Sequence, residues 1–122
     1  MPPRQRGGDL LARLRNQRDT VGVIDPTSSR SSEDERLRFA AVARALGDAK
    51  RLCVLESLAS GEASVGELAT RVSCQVPNMS QHLAVLRSAG LVTARRDGST
   101  VYYRLSDPKV IEAYQLLQAI AR

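Results

Sequence analysis

The stretch Gln75-Val-Pro-Asn-Met-Ser-Gln-His-Leu-Ala-Val-Leu-Arg-Ser-Ala-Gly90 decides how the rest of the chain reads. Met79, Leu83 and Leu86 fall at i, i+4 and i+7 and draw one apolar stripe at helical period. Pro77 stands near the start, where a missing N–H is no loss, and Gly90 stands where a helix would stop. The opposite face carries Asn78 and Gln81, with Ser80 and His82 at its edges, and no carboxylate occurs anywhere in the segment.

Amides and hydroxyls both donate and accept hydrogen bonds, so an uncharged face of this kind suits the base edges of a DNA major groove. A merely solvated polar helix face would look the same from this stretch alone. The sequence that follows separates the two. Leu91 to Leu105 holds two β-type runs around Asp97-Gly98, the pair that a tight hairpin turn favours, with Arg95, Arg96, Ser99, Thr100 and Arg104 about its tip. A helix followed at once by a basic hairpin is the pattern of a winged helix-turn-helix.

The chain upstream supplies the rest of that motif. Ser64-Val-Gly-Glu67 is a capping box opening a short helix over Val65–Arg71, and Val72–Gln75 is the turn into the next helix. Ser32-Glu-Asp-Glu35 opens an alanine-rich helix with Leu37, Ala40, Ala41, Ala43 and Leu46, a surface that permits close helix approach. Asp48 caps a helix in which Leu52, Val54, Leu55 and Leu58 are expected inside, and Ser60–Ala63 reads as a turn. After the hairpin, Ser106-Asp107-Pro108 starts a terminal helix with Pro108 in its first position. Its stripe of Val110, Ile111, Tyr114, Leu117 and Ile120 is wide enough to need a partner. Residues 1–31 read as an arm, with a short amphipathic helix about Leu10, Leu11 and Leu14 and a Gly/Pro/Ser-rich linker; residues 32–122 read as one domain. The fold class is mainly α with a β-hairpin wing.

Composition narrows the function. With 3% aromatic residues and no Trp among 122, the core must come from Leu, Val, Ile and Ala. No apolar run is long enough to span a bilayer, the N-terminus lacks a secretory h-region, and two cysteines make no disulfide framework, so a cytoplasmic chain is expected. The net charge is +5, and residues 71–104 hold five arginines against Asp97 alone, which points to a polyanion. The one histidine lies in the polar-faced helix, and no nucleophile, phosphate-loop or metal-hydrolase spacing appears, so an enzyme is not expected.

Pro77–Val92, Arg95–Gly98, Tyr102–Leu105, Ala45–Leu52 and Ser64–Ala69 together resemble the ArsR/SmtB family of bacterial repressors, over roughly Arg36 to Ala121. The resemblance implies a homodimer, joined through Leu37–Leu46 and Val110–Ile120, on double-stranded operator DNA. Base-edge contacts are then expected from Asn78, Ser80 and Gln81, with Gln75 and Val76 at the helix entrance, and backbone contacts from Arg95, Arg96 and Ser99 on the wing. A structural place is preferred for His82.

Members of this family release DNA on binding metal or metalloid or on oxidation. Here the family's cysteine pair would fall at Ser64–Ala69, where there is none, and the terminal helix offers Asp107 and Glu112 nearby without a histidine. Cys74 and His82, about 12 Å apart if on one helix, are too far apart to share an ion. No metal and no cofactor is therefore expected. A thiol switch at Cys53 and Cys74 is the sharper alternative, although Val110–Arg122 lacks the partner cysteine that the family's redox sensors use. A winged-helix interaction module without DNA binding is the remaining one. The inducer is not legible.

Overall fold

The computed structural model describes residues 31–122. The expected N-terminal amphipathic helix and all but the last residue of the linker lie outside the described residues. The chain divides into two units, Met1–Arg36 and Leu37–Arg122. Helix α1 spans Glu33–Ala45. Its first turn is closed reciprocally: the Glu35 N–H donates to Ser32 Oγ at 3.1 Å and the Ser32 N–H to Glu35 Oε1 at 2.7 Å. That makes a full capping box where only a hydroxyl cap was expected.

In the second unit, α2 (Ala49–Leu58) starts at Asp48, whose side chain accepts from the Arg51 N–H. Ser64 and Glu67 form the expected capping box of α3 (Val65–Arg71). Helix α4 (Val76–Ser88) carries Pro77 in its first turn. It ends in a Schellman motif: the Leu91 N–H bonds the Leu86 carbonyl and the Gly90 N–H that of Arg87, both at 2.9 Å, with Gly90 at φ +82°. Helix α5 runs Lys109–Ala121. Pro108 lies just ahead of it in helical conformation and Asp107 Oδ1 takes the Lys109 N–H at 2.8 Å, one residue from the expected start.

Three strands form an antiparallel sheet in the order β1-β3-β2: β1 is Ala63–Ser64, β2 Val92–Asp97 and β3 Thr100–Leu105. Two expectations are corrected here. Ala63, read as part of a turn, belongs to a strand paired with Tyr103. The hairpin turn is centred one residue later than Asp97-Gly98, because Asp97 and Thr100 pair and leave Gly98-Ser99 between them. Gly98 at φ +65° in the first central position is the arrangement of a type II′ turn.

The core lies where α2, α3, α4 and the sheet meet. Val54, Leu55, Leu68, Met79, Leu83, Leu86 and Val92 are almost wholly enclosed, and no polar side chain is buried among the described residues. Leu52, expected inside, is only half-buried. This wedge of aliphatic side chains holds α3 and α4 as a rigid pair and plants the hairpin beside them.

Candidate nucleic-acid interface

Burial of Met79, Leu83 and Leu86 fixes which way α4 faces. Gln75, Asn78 and Gln81 recur every third residue, so each is turned only about 60° from the last. They line one open cavity of about 510 Å³ together with Lys50, Ser73, Cys74 and His82, and no carboxylate lines it. Val76 and Ser80 are exposed but outside that cavity; Ser80 lies about 160° around the helix from Asn78. The uncharged face is therefore split, with Ser80 on a separate flank.

Lys50 was not singled out from the sequence. Its Nζ donates to the Val72 carbonyl at 2.7 Å and the Ser73 carbonyl at 3.1 Å, a cation on the unpaired end of α3. No local pattern announces this pairing, since the partners are 22 residues apart. Those bonds accompany a strained turn: Ser73 is left-handed at φ +56°, and the Cys74 N–H reaches the Ala69 carbonyl at 2.9 Å. His82 is half-buried, with Nδ1 3.3 Å from Arg51 Nη1. Arginine can only donate, so Nδ1 accepts and the ring proton sits on Nε2. Arg51 also donates to the Ala45 carbonyl at 2.7 Å and the Arg44 carbonyl at 3.2 Å, joining the end of α1 to the exposed helix.

The wing sorts its arginines by strand parity. Arg95 pairs with Tyr102, and Arg96 with Val101, so the two neighbours project from opposite faces of the sheet. Arg95 is committed: Nε and Nη2 each lie 2.7 Å from a carboxylate oxygen of Glu62, and the guanidinium sits 4.8 Å above the Tyr102 ring. The hydrogen bonds between them hold the Glu62 carboxyl below its ordinary range and push the Arg95 guanidinium above its own. Arg96 is exposed and has neither hydrogen bond nor ion pair among the described residues. Ser99 is exposed at the tip.

Both cysteines are free thiols. Cys53 is exposed on α2, whereas Cys74 is half-buried and its Sγ donates to the Gln75 carbonyl at 3.4 Å. Among the described residues no three His, Cys, Asp or Glu are grouped to hold a metal ion. No helix among them is long and apolar enough to cross a membrane.

Helices α1 and α5 leave apolar side chains uncovered. Phe39 is 69% exposed and Ile120 81%, with Leu37 and Leu117 also open to solvent. Helix α5 has no fully buried residue; Tyr114 attaches it to α2 by donating to Glu56 Oε2 at 2.6 Å.

Residues 48–94 match the family model described as bacterial regulatory protein, arsR family. The chain is 50% identical over 78 residues to the HTH-type transcriptional regulator KmtR of Mycobacterium tuberculosis, a match covering 64% of this chain and 60% of that one. It is 38% identical over 88 residues to the biofilm growth-associated repressor of Agrobacterium fabrum, covering 72% and 75% of the two. Among solved structures, it superposes on a homodimeric winged helix-turn-helix DNA-binding domain from Mycobacterium bovis, determined in solution, with a TM-score of 0.67 and 36% identity, over 75% of this chain and 87% of the other.

Proposed function

Because the chain belongs to the ArsR family of bacterial regulatory proteins, we propose that it is a dimeric, sequence-specific transcription regulator that represses by occupying operator DNA. The observation that carries this reading is the exposed, acid-free face of α4 beside a wing with an unpartnered arginine. Gln75, Asn78 and Gln81 read base edges from the cavity side of α4, with Val76 at the entrance and Ser80 on the other flank. Asn and Gln pair bidentately with adenine, worth about 1–3 kcal/mol of discrimination each. Arg96 and Ser99 hold the DNA backbone and set register without reading sequence. A two-fold pair of protomers, joined through α1 and α5, presents two such surfaces roughly one DNA turn or more apart on an imperfect palindrome.

Binding to the protein's own upstream region, followed in a salt series, tests this. Gln81→Ala relaxes base preference with the salt slope unchanged. Arg96→Ala weakens every sequence alike and lowers that slope by about one. Both variants binding as the wild type does would remove the proposed interface.

A thiol-responsive release of DNA is the second reading, favoured by the place of Cys74 in the cavity that Gln75, Asn78 and Gln81 share. Peroxide would convert the Cys74 thiol to a sulfenic acid with loss of water, placing a new polar group beside the reading side chains. Cys53, exposed on α2, is the other thiol of that reading. Peroxide treatment should weaken operator binding in the wild type and in Cys53→Ser, but not in Cys74→Ser; complete thiol oxidation with unchanged binding ends this reading.

A further inference from the structure

The wing holds an ion pair whose position is better suited to orienting the hairpin than to gripping DNA. Glu62 immediately precedes β1, and Arg95 lies on β2, with β3 between them in the sheet. The Arg95 guanidinium crosses that middle strand over the Tyr102 ring and closes side-on upon Glu62 through two 2.7 Å bonds. Such a bidentate pair has one favoured geometry as well as opposite charge. Strand β1 is only two residues long, so its ladder alone is a weak tie between the hairpin and the helices. Yet Ser64, the last residue of β1, is the N-cap of α3. Whatever fixes β2 to Glu62 therefore fixes the angle of the wing to the helix pair that carries the reading face.

We propose that Arg95 and Glu62 are positioning residues for DNA binding, a clamp across the sheet that sets the wing, and that Arg96 supplies the phosphate contact on its own. This rests on the DNA-binding reading above. A phosphate approaching Arg95 would meet the Glu62 carboxylate beside the guanidinium, so the pair offers little net attraction. Arg96, on the opposite face and without a partner, keeps its full charge.

The test compares Arg95→Gln, Glu62→Gln, their double variant, the charge-swapped Glu62→Arg/Arg95→Glu pair and Arg96→Gln in the full chain. Two measurements are made: operator affinity against salt concentration, and amide hydrogen exchange of β2 and β3 without DNA. The clamp predicts that Arg95→Gln and Glu62→Gln each weaken binding roughly tenfold with the salt slope kept, and that the double variant is no worse than either. The swapped pair should recover most of the loss, and Arg96→Gln should lower the slope by about one. Exchange should quicken along the hairpin in both single clamp variants and in neither Arg96→Gln nor the swapped pair. Tighter binding by Glu62→Gln, or a slope lowered by Arg95→Gln, would show that Arg95 itself grips phosphate and overturn the proposal. Unchanged exchange in the clamp variants would overturn it without reference to DNA. Failure of the wild type to bind any operator would instead strike at the function, leaving the exchange measurements to decide the clamp.

Discussion

Ser73 shows how much of the DNA-facing surface depends on single backbone angles. An L-residue in the left-handed region costs roughly 1–2 kcal/mol, and Ser73 adopts φ +56° at the end of α3. There its N–H reaches the Thr70 carbonyl while the Cys74 N–H reaches that of Ala69. The Lys50 ammonium holds the Val72 and Ser73 carbonyls in that bend. Glycine relieves the strain but frees the unfolded chain, which takes back about 0.5–1 kcal/mol. Ser73→Gly should therefore raise stability by up to about 1 kcal/mol in a denaturant titration. A lower midpoint would mean that the serine side chain contributes more than its backbone geometry costs.

At the scale of elements, short helices are held by their ends. Helix α3 has only 7 residues, too few to persist by propensity, and leans on its capping box and on Leu68 and Ala69 in the core. The Ser64 N–H bonded to the Glu67 carboxylate holds that carboxyl below its ordinary 4.5, and the Arg51 N–H does the same to Asp48, ordinarily 3.8. A carboxylate depressed in the folded state stabilises above its unfolded value and loses that contribution as pH falls through the folded one. The melting temperature should thus be level from neutrality to about pH 5 and fall below 4.5 as these carboxylates protonate. Glu67→Gln and Asp48→Asn keep the caps without the charge, so each should shallow that acid decline; an unaltered decline would place its origin in other carboxylates.

The whole molecule has a surface that one protomer cannot satisfy. Leu37 and Phe39 on α1 and Leu117 and Ile120 on α5 are exposed, and α5 buries no residue fully. Large apolar side chains in open water mark an interaction face. In a two-fold dimer each substitution acts twice. Phe39→Glu and Ile120→Glu should each sediment as a monomer at micromolar concentration. Operator affinity should fall by roughly 10²-fold or more, because the second half-site is no longer delivered by the first. Variants that remain dimeric would move the seam away from α1 and α5.

The sequence alone determined the helix pair, its caps, the polar face of α4 and the existence of a basic hairpin. All of these follow from neighbours within a turn or two: the spacing of Met79, Leu83 and Leu86, the Ser64 and Glu67 pair, and the glycine after Ser88. Tertiary structure decided the rest. Strand β1 is too short for a periodic signal and exists only because β3 lies beside it. The hairpin turn fell on Gly98-Ser99 once Asp97 and Thr100 paired, and the resulting register placed Arg95 and Arg96 on opposite faces. Arg95 found Glu62 33 residues away, and Arg51 found His82 across 31. A local pattern records what a side chain is and which way its own helix or strand turns it. Whether a charge meets DNA or a carboxylate depends on which distant segment the packed core brings within 3 Å or so, and no window along the chain contains both partners.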